Sequence, residues 1–330
     1  MELNQDDSFV CFSLPSDPNY SLIKGKLSTL DRSEWPEESG FVVSSFDSKL
    51  PFHFIESNEI ILNPMITFDV GNGNEIKSLS KEEYLDICQS YIEECDHGLS
   101  KIILSRVESR AYNASPIELF DALRMAYPDA FVYILNDSKL GTWIGATPET
   151  FLKRKSKGFK TMALAGTQVK NDQYEWAEKE KTEQQLVSDY ILTELSSLSV
   201  KPELSGPFTK EAGNIAHICT AFNFETSVNP IEIINKLHPT PAVCGIPTNQ
   251  AFDIISENEP HDRELYCGFL GPINFNDSDE LFVNLRCLKM DKEQVHLFVG
   301  GGITKDSIPE NEWNETEAKA ETLLGIIENL

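Results

Sequence analysis

Residues 265–303 read LYCGFLGPINFNDSDELFVNLRCLKMDKEQVHLFVGGGI, three apolar runs rich in β-branched and aromatic residues. LYCGFLGPINF, ELFVNLRCLKM and VHLFVGGGI each read as strand, and DKEQ at 291–294 marks a β-hairpin between the last two. Helical patterns flank them near 247–257 and 311–328. Moving towards the N-terminus, a long helix is expected over 172–198, with Leu186, Val187, Tyr190, Ile191 and Leu195 as its apolar stripe. AFVYILND (130–137) and GTWIGATPETFLKRK (141–155) read as consecutive strands. SPIELFDALRMAYP (115–128) is a helix opened by Ser115 as N-cap, Pro116 at N1 and Glu118 at N3. KIILSRVESRAY (101–112) is a strand, and Lys81–Glu94 shows a helical period. Residues 1–95 are the least patterned third, with turn signals at Pro15, Pro36, Gly40, Pro51 and GNGN (71–74). The class is therefore α+β with large sheets, in one domain over 1–330 with room for a small subdomain in its first 80 residues.

The chain has 330 residues, 40% hydrophobic and 10% aromatic, enough for a substantial core. Its formal charge of −25 makes nucleic acid and anionic membranes poor partners, because both demand a positive surface. No apolar run reaches 18 residues, and MELNQDDSFVCF has neither a basic nor a long apolar region. Neither a membrane span nor a signal peptide is expected. Seven scattered cysteines without a C-x-x-C pair argue for a reducing, cytoplasmic setting and against a disulfide frame or zinc site.

Two helices share an acidic spacing. Glu180 and Glu183 in EKEKTEQQLV are three apart, as are Glu312 and Glu315 in NEWNETEAKA, with Lys319 one turn further on the same face. Carboxylates are the hard donors that magnesium prefers, but acids in a first helical turn also complement the macrodipole. The spacing leaves both readings open. Lys101 opens an apolar strand and by alternation shares a face with Ile103 and Ser105. Glu149 lies between strand-like runs, Arg286 interrupts LFVNLRCL, and Gly300–Gly302 offers bare backbone at a strand end. Each alone suits an edge or surface position.

Together these segments occur in the order of a known family. KIILSR (101), GATPE (145), LAGT (164), EKEKTEQ (178), NIAHICT (214), LHPTPAVCGIP (237), EPHDRELYCGFLG (259), NLRCL (284), VGGGIT (299) and EWNETEAKA (312) resemble the chorismate-utilising enzymes. These are isochorismate, salicylate, anthranilate and aminodeoxychorismate synthases. The likeness covers about 80–330; residues 1–80 match weakly and look shortened.

The resemblance implies a chorismate-binding-enzyme fold, large facing antiparallel sheets flanked by helices in four α/β/β/α layers. It also implies a monomer that binds chorismate, and the addition of a nucleophile at ring C2 while the C4 hydroxyl leaves. Magnesium would hold the ring carboxylate, with Glu183 and Glu315 nearest and Glu180 and Glu312 completing the shell. Glu149 would be the general acid, its pKa raised by burial. Lys101 stands where the water-using members carry their base, and as a base it must be neutral. This favours isochorismate or salicylate synthase over the amino-transferring enzymes, and Ala242 within LHPTPAVCGIP favours stopping at isochorismate. Arg286 would clamp the enolpyruvyl carboxylate with Tyr266 beside it. Gly166, Thr167 and Gly300 would offer backbone to carboxylate oxygens, and Lys319 would offset the acids. His217 matches the N-x-x-H histidine of the family, near the ring, and is as readable as a catalytic residue as a hydrogen-bonded core histidine. Gln184 replaces the usual histidine after Glu183. Glu310 and Glu317 are left to solvent. An inactive acidic metal-binding homologue is the non-enzyme alternative. The resemblance does not separate supply of menaquinone, a siderophore or salicylate.

Overall fold

In the computed structural model the described residues are 1–73 and 75–330; of the turn expected at 71–74, Asn74 lies outside them. Six short strands open the chain: β1 (Ser8–Ser13), β2 (Ser21–Gly25), β3 (Leu27–Leu30), β4 (Gly40–Ser44), β5 (Phe52–Glu56) and β6 (Glu59–Leu62). Then come α1 (Lys81–Asp96), β7 (Lys101–Ala111), α2 (Pro116–Ala126), β8 (Phe131–Asp137), β9 (Gly141–Thr147), β10 (Thr150–Lys155) and β11 (Gly158–Val169). The middle holds α3 (Glu178–Ser197), β12 (Glu203–Ala212), β13 (Ile215–Glu225), α4 (Pro230–Leu237), β14 (Gly245–Ile246) and α5 (Thr248–Asn258). It closes with β15 (Phe269–Ile273), β16 (Ser278–Val283), β17 (Cys287–Met290), β18 (Gln294–Ile303) and α6 (Pro309–Ile327).

The strands form two nine-stranded sheets, ordered β14-β7-β18-β17-β9-β8-β1-β2-β6 and β12-β13-β11-β10-β16-β15-β4-β5-β3. The expected β17–β18 hairpin is present, pairing Met290 with Val295. Aromatic side chains fill the space between the sheets. Phe131 of the first sheet stacks on Phe282 of the second at 4.2 Å, while Phe151 stacks on Phe269 at 4.7 Å on the outer face of the second sheet, contacts that add roughly 0.5–1.5 kcal/mol each beyond burial. Leu119, Phe120, Leu323 and Leu324 of α2 and α6 cover the far face of the first sheet over Val132, Ile134, Leu297 and Val299. Val187, Ile191 and Leu195 of α3 pack with Ala163, Phe222 and Phe224 of the second. This is the expected α+β arrangement of helices outside two facing antiparallel sheets. Residues 1–62 supply three strands to each sheet, β1, β2 and β6 to the first and β3, β4 and β5 to the second.

Three local expectations change. The long helix begins at Glu178 rather than 172, because Tyr174 and Trp176 are drawn onto β12, where Trp176 Nε1 donates to Thr209 Oγ1 at 3.0 Å. On that helix Leu186 and Tyr190 are only half-buried while Gln184 and Ser188 are buried. Gln184 Nε2 donates to Thr220 Oγ1 at 2.7 Å and to Ser188 Oγ at 2.8 Å, which turns that face against the sheet. Helix α4 is an addition to the expected elements; its signal is Asn229, which caps Ile231 N, followed by Pro230 at N1.

The third change positions the site. ELFVNLRCLKM is not one strand, because β16 belongs to the second sheet and β17 to the first. The chain crosses between them at Asn284–Arg286, with Arg286 at φ +49°. GTWIGATPETFLKRK crosses likewise between β9 and β10, through Pro148 and Glu149. The two crossings lie side by side. Ala146 N donates to Arg286 O at 3.0 Å, Val283 N to Glu149 O at 3.0 Å, and Thr147 Oγ1 to Val283 O at 2.6 Å.

Candidate active site

A polar cavity opens where the sheets part beside the paired crossings. Of the fourteen residues singled out in the sequence, eleven line it: Lys101, Glu149, Gly166, Thr167, Glu183, His217, Ala242, Tyr266, Arg286, Gly300 and Lys319. Ile103 lines it too, so the alternation read along β7 holds there. Glu180, Glu312 and Glu315 stand beside it, reached through backbone that has no side chain. A Cβ on Gly166 would lie 2.9 Å from Glu180 Cβ, and one on Gly301 would face Glu315 Oε1 at 3.8 Å and Glu312 Oε2 at 3.9 Å. Gly301 thus leaves room, whereas Gly166 does not and neither does Gly302, where a Cβ would meet Glu183 Oε1 at 2.6 Å and Lys101 Cε at 2.8 Å.

Glu149 is 2% exposed. Burial lifts its carboxyl to about 8, against the opposing pull of Lys210, Lys101, Arg286 and Lys319. A carboxylic acid that keeps its proton near neutrality is suited to donate it. Lys210 is a residue the sequence reading missed: it comes from β12 and donates to Pro148 O at 2.8 Å, next to Glu149. Nothing in its strand, which is mostly exposed, marked it out.

Lys101 is 1% exposed. A base must be uncharged, yet its Nζ lies 2.7 Å from Glu183 Oε1, so here the amine is held in an ion pair. Arg286 is buried, and burial draws its guanidinium below the ordinary value, though arginine keeps its charge even so. Its Nη2 donates to His217 Nε2 at 3.1 Å, while its buried Nε has no partner among the described residues. His217 in turn donates from Nδ1 to Gly166 O at 2.8 Å. Burial, then the charges of Arg286 and Lys319, bring this imidazole down to about 3, so it is neutral at physiological pH. With both nitrogens occupied, His217 orients Arg286 and has no lone pair or proton to spare for a reaction.

Three of the four acids meet lysines. Glu315 pairs with Lys319 at 2.7 Å, Glu312 with Lys179 at 2.5 Å and Glu183 with Lys101. Burial raises the carboxyl of Glu312 despite Lys179. At Glu315 burial pushes upward most strongly, but the Lys319 ammonium and the charge of Lys179 together outweigh it and the carboxyl sits below its ordinary range. Lys319 also donates to Gly300 O at 2.8 Å. Lys179 was passed over because it sits inside the acidic motif; its position four before Glu183 on the helix was the available signal.

No three His, Cys, Asp or Glu side chains are arranged as a ready metal-holding group among the described residues. The donor set nevertheless fits a hard divalent cation. Glu180 Oε2 is buried without a partner among the described residues, and Gly301 leaves space in front of Glu312 and Glu315 of α6.

Two motif residues take other roles. Glu317 is solvent-exposed as expected, its side chain 53% accessible, but it also pairs with Arg106, which is buried under α6 and spends its Nε on Thr316 Oγ1 at 2.8 Å. Gln184 faces β13 rather than the cavity.

Paired crossings between two large antiparallel sheets, with an acid, a lysine and an arginine around one cavity, define an enzyme-like site for a small anion. The sequence profile of the chorismate binding enzymes matches residues 64–328. The chain belongs to the chorismate-binding enzyme family. It is 30% identical to isochorismate synthase EntC of Escherichia coli over 245 residues, 69% of this chain and 62% of EntC. The matched part is thus under two thirds of that relative's length. It is 27% identical to the vibriobactin-specific isochorismate synthase of Vibrio cholerae over 325 residues, 91% of this chain and 82% of the relative. The crystal structure of DhbC from Bacillus anthracis shares the fold, with a TM-score of 0.84 at 23% identity, covering 98% of this chain and 97% of that one.

Proposed function

We propose that the protein converts chorismate to isochorismate in a magnesium-dependent reaction. The observation that carries this reading is a single cavity holding Lys101, the protonated Glu149 and the unsatisfied guanidinium Nε of Arg286. Water adds at ring C2 and gives its proton to Lys101 Nζ. The bond from C4 to its hydroxyl breaks, the ring double bonds shift between the two carbons, and Glu149 protonates the departing oxygen, which leaves as water. Arg286, aimed by His217 and flanked by Tyr266, receives the enolpyruvyl carboxylate. The backbone at Gly166, Thr167 and Gly300 approaches the other carboxylate, with no side chain in the way at the two glycines.

Magnesium, held by Glu180, Glu183, Glu312 and Glu315, would supply the positive charge that holds the ring carboxylate. A Glu183 carboxylate engaged in that way would no longer hold Lys101, whose Nζ would then be left to act as the base. Lys319, tied to Gly300, keeps a positive charge beside the bound carboxylates. Ala242 offers no hydroxyl in the cavity for a later elimination of pyruvate, which supports isochorismate rather than salicylate as the product.

Incubation with chorismate and Mg2+, followed by chromatographic identification of the product, tests this. Isochorismate is expected; salicylate or an amino product would replace the assignment. Lys101→Ala and Glu149→Gln should each slow the reaction by about 10²- to 10⁴-fold. Undiminished chorismate consumption by both variants would rule out the catalytic roles.

A further inference from the structure

The three lysines at the acids are not equivalent. Lys101 is 1% exposed, and its side chain is enclosed between Glu183 and Gly302. Lys319 holds Glu315 and also donates to Gly300 O, which ties it to β18. Lys179 has one polar partner among the described residues, Glu312 at 2.5 Å, and its side chain is 31% exposed while that of Glu312 is 1% exposed. One partner of this bond is locked in the interior, and the other stands on the first turn of α3 with a way out to solvent.

We propose that Lys179 is a resident counter-cation of the acidic site, competing with the divalent ion for Glu312 and keeping monovalent ions out. The inference rests on the magnesium site proposed above. A tethered ammonium supplies one positive charge at high effective concentration. A sodium or potassium ion from solution brings the same charge without the tether and cannot displace it. A divalent ion brings twice the charge, and only then is it favourable for Lys179 to swing away. The arrangement also prevents the costly alternative, a buried Glu312 with no cation at all when the metal is away.

The test titrates MgCl2, without chorismate, into the full chain and its Lys179→Met and Lys179→Arg variants by calorimetry in buffer free of potassium. Lys179→Met should bind Mg2+ about tenfold more tightly or better, since one charge-assisted bond no longer has to be broken. Its thermal midpoint should also rise with added KCl, a response the wild type lacks. Lys179→Arg, which keeps the charge, should behave as wild type in both. A variant that binds Mg2+ no more tightly than a wild type that does bind it reduces Lys179 to a structural tie and overturns the proposal. If the wild type takes up no Mg2+ even with chorismate present, the metal reading itself fails, and this inference with it. Should Lys179→Met lose its near-ultraviolet dichroism, Lys179→Gln removes the same charge with a polar side chain and is held to the same outcomes.

Discussion

Helices α1 and α2 and helices α3 and α6 all carry glutamates near their N-termini, and the two pairs use them for opposite purposes. In α1 and α2 the acid closes its own helix. Ser80 N donates to Glu83 Oε2 at 2.8 Å and Ser115 N to Glu118 Oε2 at 3.2 Å, in reciprocal capping boxes. In α3 and α6 the N-caps are Ala177 and Ile308, and neither makes a side-chain capping bond. Their acids turn towards the cavity, where lysines rather than backbone amides receive them. Leaving out the cap forgoes about 1 kcal/mol per helix. It keeps the carboxylates free for charge–charge work, which a capping box would use up. An acid near a helix start thus says little until its partner is known.

The strongest way to break this comparison is at the cavity end. Glu183→Gln and Glu315→Gln should each lower product formation by at least about 100-fold. Some stability should be lost as well, because each change strips a lysine of its carboxylate partner, so activity is compared on folded protein. A large stability loss with activity kept would put these acids in the same structural class as Glu83 and Glu118. Next in size is Gly302→Ala. Its Cβ would meet Glu183 Oε1 at 2.6 Å, so the Lys101–Glu183 pair must shift, and a tenfold or greater fall in kcat is expected. Steady-state assay of the folded variant decides it; unchanged kcat would show that the placement of the pair is not critical.

Glu149 sharpens the contrast through pH. Its folded carboxyl titrates at about 8 against an ordinary 4.5, so the folded chain holds this proton longer than the unfolded one. The stabilisation is complete below the unfolded pKa and is lost as pH rises towards 8. Glu149→Gln should therefore be more stable than wild type at pH 8, on the order of 3 kcal/mol, with no advantage near pH 4. Urea midpoints across pH measure this, and wild-type activity should fall above about pH 8 as the acid loses its proton. The smallest effect is expected at the capped end. Ser115→Ala should cost about 1 kcal/mol of stability and leave product formation unchanged. An activity loss there would erase the distinction between the two pairs of helices.

Local chemistry was legible wherever a residue acts on its neighbours in sequence. The α2 box of Ser115, Pro116 and Glu118, the β17–β18 hairpin and the alternation that sends Lys101 and Ile103 to one face are all short-range consequences of backbone geometry. Ordered motifs carried the family as well, since ten segments in sequence constrain far more than any one does. What the sequence could not decide was which strand joins which sheet. ELFVNLRCLKM has the pattern of one strand, and only packing cuts it at Asn284–Arg286, because the two halves pair with different sheets. That cut and its twin at Pro148–Glu149 lie side by side and turn an apparent edge arginine and loop glutamate into opposite functions of one cavity. Ion-pair partners were hidden for the same reason. Glu312 meets Lys179 and Glu183 meets Lys101 across separations of 133 and 82 positions, contacts that no local period encodes and that exist only once both sheets and both helices are in place.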